Sequence, residues 1–519
     1  MLKSCRSIRN RRLHDEDPNP IAEGQPRSNR PDRVTEGRNL EDEMKHFSFT
    51  PFFIGIAAIV AFAPGLSAQT PANTLETRLA AIEQRLGEIE KQVGIQTPAQ
   101  PAEIADRLEA LDQQLRIVSR QRELDQEALT AKTASSATVD ATRDGFTIRS
   151  ADNNFQLRVG GYIQADGRFF VGPNQFDTSA FTVRRIRPIV QGTVSKYFDF
   201  RIMTDFGGGN AIVQEAYGDL RYWKKASFRI GKYKAPFGLE RLQSAADIKF
   251  VDRGLPTALA PNRDEGVQLY GDFMNGAVSY ALAVMNGVVD GGINDTDNND
   301  GKDGVARIFV QPFVAKGVQH PLGGLGFGVA ASSGRQSGIL LPNYKTVGQS
   351  IFYFYSPGVT AAGDRRRIGP QAYYYAGPLG LLAEYTASAQ DVQKGGIGET
   401  ISNRAWQVAG SYFLTGEKNT YKTVYPRESF DPSTRGKGAI EVTARIGELV
   451  VDQSAFDFGF ANIATSAHIA REWIAGINWY LNRNSKFVFN YEQTLFKGGA
   501  PTGNRTTERG LLTRFQVAF

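Results

Sequence analysis

Thr513-Arg514-Phe515-Gln516-Val517-Ala518-Phe519 closes the chain, alternating apolar and polar residues and stopping on phenylalanine. Successive strand side chains point to opposite faces, so Phe515, Val517 and Phe519 share one face, with Arg514 and Gln516 on the other. Chain ends are usually polar and frayed unless something ties them down. An end that falls inside an amphipathic strand suits a barrel closed by its last strand, with lipid outside and water inside. A soluble sandwich ending in an amphipathic strand is the alternative at this point.

Upstream of this stretch the same texture continues back to about Phe146. Phe155 to Gln164, Gly438 to Ile446, Trp473 to Leu481 and Phe487 to Tyr491 alternate in the same way. No stretch after residue 68 approaches the roughly 18 apolar residues of a helical span. Strands of about ten residues fill residues 145–519 as roughly 16 to 18 crossings, within the range of transmembrane barrels. Closure removes the unpaired edges that so many strands would otherwise expose. The expected fold is all-β: a transmembrane antiparallel β-barrel.

Residues 1–43 are charge-rich without apolar periodicity, the composition of disorder. Met44-Lys45-His46, the apolar run Phe52 to Ala63 and the small residues Ser67-Ala68 have the order of a secretory signal peptide. The expectation is a start at Met44, a signal peptide over 44–68 with cleavage near Ala68-Gln69, and a misassigned extension before it. A cytoplasmic extension before a signal anchor is the competing reading. The sole cysteine, Cys5, would then be absent from the mature chain, and of four histidines only His320 and His468 would remain. Neither sits in a metal-ligand spacing, so no metal and no cofactor are expected. The net charge falls from +6 to +5, since residues 1–43 balance and Lys45 is lost. That is far short of a nucleic-acid footprint.

Leu75, Leu79, Ile82, Leu86, Ile89 and Val93 recur at steps of three and four, and Ile104, Leu108, Leu111, Leu115 and Val118 repeat the pattern after a break at Gly94 to Pro101. Two short coiled-coil segments within 69–140 are expected, with an amphipathic helix packed on the domain as the alternative.

Face assignment carries the fold toward function. With Leu157, Val159 and Ile163 toward lipid, Arg158, Gln164, Asp166 and Arg168 face the lumen. The same parity turns Arg185, Arg187, Arg201, Arg307, Arg445 and Arg514 inward. A charge at the lipid midplane would cost about 2–4 kcal/mol. Guanidinium is permanently charged and presents a planar fork of donors that matches phosphate or carboxylate. Such a wall passes anions by successive weak contacts. Alternatively the arginines are neutralised by inward acids, with Asp166, Asp205, Glu215, Asp219, Glu384, Glu441 and Glu492 as candidates. Between Ile230 and Arg253, Pro236 and Gly238 interrupt the strand pattern. Lys234, Arg241, Lys249 and Arg253 lie there, either on a loop folded into the pore or on an external segment.

Phe181-Thr182-Val183-Arg184-Arg185-Ile186-Arg187, the run Gly231 to Glu240, Phe250-Val251-Asp252-Arg253 and the ending Arg514-x-Gln516-x-x-Phe519 resemble the phosphate-selective porin O and P family, over roughly Gly145 to Phe519. That resemblance implies a homotrimer of 16-stranded barrels, an inward third loop carrying Lys234, Arg241, Lys249 and Arg253 at a constriction, and an arginine ladder. Terminal Phe519 resembles the signal by which the barrel assembly machinery recognises outer-membrane proteins. The expected function is passive diffusion of small anions, with inorganic phosphate or polyphosphate favoured, across a Gram-negative outer membrane, the N-terminal segment lying in the periplasm. A porin for other solutes, or a structural barrel tethered by its coiled coil, is the alternative. An enzyme is not expected, because neither His320 nor His468 has a paired nucleophile pattern. The acidic loop Asp290 to Asp303 misses the EF-hand register and reads as a solvated loop.

Overall fold

The computed structural model describes residues 80, 84–85, 101–142, 145–172, 177–223, 225–293, 299–314 and 320–519. The upstream extension, the signal peptide and all but three residues of the first coiled-coil segment lie outside the described residues.

Helix α1 spans Pro101–Ser135. It begins on proline, whose fixed φ suits a first helical turn, and runs well past the apolar stripe that ends at Val118. Its second half is rich in Glu, Gln, Ala, Leu and Arg, all good helix formers. Pairs such as Arg116–Asp112 at 2.7 Å and Arg120–Glu123 at 2.9 Å support the exposed turns. Leu108, Leu111, Leu115 and Val118 are exposed.

Sixteen strands close on themselves. They are β1 (Gln156–Phe170), β2 (Ala180–Val194), β3 (Phe198–Asp205), β4 (Ile212–Trp223), β5 (Ala226–Lys234), β6 (Arg263–Phe273), β7 (Val278–Met285) and β8 (Asp303–Val310), followed by β9 (Leu325–Gly338), β10 (Thr360–Ala376), β11 (Leu379–Lys394), β12 (Ile397–Phe413), β13 (Ala439–Val450), β14 (Ala467–Tyr480), β15 (Ser485–Ala500) and β16 (Glu508–Ala518). Each pairs antiparallel with its neighbours, and β16 returns to β1 with Arg514 opposite Asp166 and Val517 opposite Ile163. Phe519 finishes the seam, its N–H donating to the Gly161 carbonyl at 2.9 Å and its carbonyl accepting from the Gly161 N–H at 2.7 Å. A small hairpin, Thr138–Thr142 with Gly145–Arg149, adds to the start of β1.

The barrel is inverted relative to a soluble protein. Leu157, Ile163, Ile202, Ile230, Leu282, Ile446, Phe515 and Phe519 are exposed on its outside. Gln164, Asp166, Glu441, Arg445 and Arg514 are buried in its interior. At the rim that carries the chain terminus, Trp479, Phe487 and Phe515 stack on the outer face, as an interfacial aromatic girdle does.

Candidate functional site

The interior is organised by residues 235–262, which connect β5 to β6 and run across the lumen. Gln164 of β1 donates to the Ala245 carbonyl at 2.9 Å, Gln516 of β16 to Ala246 at 3.0 Å, Lys486 of β15 to Ile248 at 2.9 Å and Asn478 of β14 to Lys249 at 2.9 Å. Asn490 of β15 accepts from the Val251 N–H at 2.8 Å. Lys249 pairs with Glu441 of β13. These contacts satisfy the loop's backbone groups from the barrel wall, without which burying an irregular segment would be costly.

The run Gly231 to Glu240 explains itself on this scaffold. Tyr233 and Phe237 are buried, and Gly238 adopts a φ of +75°, open to glycine and costly for other residues. Lys234 turns back to donate to the carbonyls of Leu242 and Gln243 at 3.0 and 2.8 Å. Glu240 accepts from the Gly254 N–H at 2.8 Å and from Gln407 of β12 at 3.0 Å. Arg241 donates to the Thr257 carbonyl, and Arg253 to the carbonyls of Glu240 and Gln243 at 2.8 and 2.7 Å. Arg241 and Arg253 thus cap their own loop and form no ion pair among the described residues. Burial, with Arg253 and Arg263 nearby, brings Arg241 down to about 9, so it stays charged at neutral pH.

Further connections share the interior. Residues 339–359 pack Tyr344, Phe352 and Tyr353 into a dry cluster with Leu255, Leu259 and Phe460. From the opposite rim, residues 414–438 reach in: Tyr421 donates its hydroxyl to the Leu239 carbonyl, and Thr423 donates to Asp247 at 2.9 Å. Open volume remains along β2 to β8. A vestibule of about 510 Å³ faces the 339–359 side, and a chamber of about 470 Å³ lies toward the terminal rim.

The vestibule is lined by Arg184, Arg185, Arg187, Arg241, Arg253 and Arg263, with Lys345, against three acids, Asp205, Asp252 and Asp290. Seven cations over three anions leave an excess of four positive charges. Asp252 alone faces Arg168, Arg184 and Arg185, at 3.5, 3.6 and 3.6 Å. Burial pushes its carboxyl up, but Arg184, Arg185, Arg168 and Arg514 outweigh that and hold it below the usual carboxylate range.

The remaining arginines are placed unequally. Arg187 pairs with Asp205 at 2.7 Å and Arg201 with Glu215 at 2.8 Å, Glu215 also meeting Arg263 at 3.0 Å. Arg514 is bidentate on Asp166 at 2.7 and 2.8 Å. Arg445, fully buried, stands between Glu472 at 3.0 Å and Glu240 at 3.4 Å. Arg445 and Arg514 therefore tie the loop and the seam and are taken up by carboxylates. Arg158 lines a hollow of about 190 Å³ at the terminal rim with Arg201 and Arg483. Arg307 donates to Gln371 at 3.3 Å and forms no ion pair among the described residues.

Strand parity overlooked Arg184 and Arg263. In β2 the partner of Gln164 is Arg185 and that of Ala165 is Val183, so Arg184 is an extra residue and the bulge turns two consecutive arginines inward. The doublet Arg184-Arg185 within an alternating strand was the available signal. Arg263 is the first residue of β6, where no alternation precedes it. The acidic loop also departs from a solvated one: Asp290 is held by Arg367 at 2.7 Å, and Asp303 by Arg365 and Arg367 at 2.9 and 3.0 Å. No group that could hold a metal ion occurs among the described residues.

The profile of a family described as phosphate-selective porin O and P matches residues 157–519. Porin O of Pseudomonas aeruginosa is 25% identical over 427 residues, 75% of this chain and 94% of that protein. Among solved structures, the outer membrane channel DcaP of Acinetobacter baumannii is similar at 11% identity and a TM-score of 0.47, over 73% of this chain and 99% of that one. An anion-selective porin from Comamonas acidovorans is similar at 11% identity and a TM-score of 0.45, over 70% and 100%.

Proposed function

The chain belongs to the phosphate-selective porin O and P family, and from that premise we propose that it passes small anions by diffusion, with inorganic phosphate or polyphosphate favoured. It is an outer-membrane channel, not an enzyme. The observation that carries the anion reading is the vestibule's excess of four positive charges beside the lumen-crossing loop. An entering phosphate exchanges hydration for guanidinium forks and leaves again because several are already shared with carboxylates. Lys234, Arg241, Lys249 and Arg253 act here by fixing the constriction, while Arg184, Arg185, Arg187 and Arg263 supply the field. The full assembly in this proposal is a homotrimer, with its N-terminal segment in the periplasm.

In a planar bilayer under a potassium chloride gradient, the reversal potential is expected on the chloride side, and millimolar phosphate should reduce the chloride current. A potassium-side reversal potential would end the anion proposal, and an unchanged chloride current would end the phosphate one.

Phe519 is proposed as the assembly signal. Its outward ring is 47% exposed and its backbone closes the seam. Phe519→Ala keeps the backbone pairing and is expected to lower the folded amount in cells several-fold while shifting the urea midpoint of the purified barrel little. Pulse-chase of the heat-modifiable form beside urea titration checks this.

A further inference from the structure

We propose that the chamber toward the terminal rim is a binding site for aromatic carboxylates, a class of solute that the anion reading above does not name and on which this inference rests. The vestibule and the chamber differ in chemistry. The vestibule has no aromatic lining residue among the described residues. The chamber is lined by Tyr217, Tyr233 and Tyr270. Its volume of about 470 Å³ suits an organic molecule, since small-molecule sites run from roughly 300 to 1,000 Å³.

Parity on β4, β5 and β6 turns these three tyrosines inward, and one cation holds them in place. The Arg229 guanidinium lies 4.0 Å from the Tyr217 ring, 5.1 Å from Tyr270 and 5.4 Å from Tyr233. Its charge is answered by Asp219, bidentate at 2.8 and 2.9 Å. Arg229 is thus a fixed support that draws electron density from the rings and leaves them better partners for an electron-rich ring than for another cation. The carboxylate would be met by Arg307. It lines the same chamber, donates among the described residues only to the neutral Gln371 and stands 4.8 Å over Phe309. Lys234 lines the chamber from the constriction side, and Arg201 lines it as a pair with Glu215. A ring on the tyrosines and a carboxylate at Arg307 satisfy both halves of the chamber at once.

The test compares benzoate with acetate, which carry the same charge, as blockers of chloride current through the reconstituted wild-type chain. Benzoate is expected to half-block at about threefold to tenfold lower concentration, the range an aromatic pair provides. Tyr217→Leu and Tyr270→Leu should bring benzoate to the acetate value, and Arg307→Gln should weaken block by both; insertion and conductance report that each variant has folded. Equal block by the two anions in a chloride-preferring channel overturns the ring site and leaves the anion reading standing. A potassium-preferring channel overturns that reading instead.

Discussion

Replacing Arg445 with methionine is expected to cost about 3–5 kcal/mol of barrel stability and to release the lumen loop. Removing one member of a buried ion group leaves the others charged and unpaired, and this is the origin of the penalty. Glu472 has no ion pair besides Arg445 among the described residues, while Glu240 is also hydrogen-bonded by Gly254 and Gln407. Arg445 also donates to the Asp252 carbonyl at 3.2 Å and lies 4.5 Å over Phe250, so its loss unpins both ends of residues 240–252. Urea titration should show the drop in midpoint, and single-channel recordings should show larger, noisier currents. Adding Glu472→Gln to Arg445→Met removes the costliest consequence, an orphaned buried carboxylate, and is expected to recover most of the loss. A double variant no more stable than the single one would place the cost in packing alone.

Arg184→Glu combined with Lys345→Glu is expected to abolish the anion preference. The pair converts seven cations and three acids around the vestibule into five of each, counted over the same lining residues. Arg184 is partly exposed and Lys345 exposed, and Asp252 keeps Arg168 and Arg185 when Arg184 is replaced, so the barrel is expected to tolerate both changes. A unit charge about 10 Å from a permeating ion is worth roughly 0.4 kcal/mol in water, before screening at 0.1 M salt reduces it. Four units acting oppositely on anion and cation then change the permeability ratio roughly tenfold. The reversal potential should move to near zero in a dilute chloride gradient, and the shift should shrink as salt is raised. An unmoved potential would relocate selectivity to the chamber.

Strand parity was legible because a charge turned toward lipid is costly wherever the alternation is regular. Once Phe515 and Phe519 are outside, Arg514 and Gln516 are inside, and the same logic turns Arg158, Arg187, Arg307 and Arg445 inward; in the structure Arg187 and Arg445 are buried, and Arg158 and Arg307 line interior hollows. It failed at Arg184 and again at Gln214 beside Glu215, where β-bulges insert a residue and two neighbours share a face. A bulge leaves alternation intact on either side, so apart from a doublet such as Arg184-Arg185 only the paired strand reveals it. Which acid neutralises which arginine was beyond reach for a different reason. Asp166 and Arg514 are 348 positions apart, and Glu240 and Arg445 are 205 apart. Strand closure and loop insertion bring them together, and local composition records neither. The reach of residues 414–438 into the lumen was missed in the same way, for its contacts with Leu239 and Asp247 lie far upstream.

Gln164 donates to the Ala245 carbonyl of the loop and at 2.7 Å to Gln516 of the last strand. One amide thus spans the seam and touches what fills the lumen. Gln516 itself holds Ala246. Closing the seam and seating the loop are therefore coupled through these two amides. A sheet that curls shut before residues 235–262 have entered would meet its first strand with these amides unanswered, and would forfeit hydrogen bonds at both the seam and the lumen.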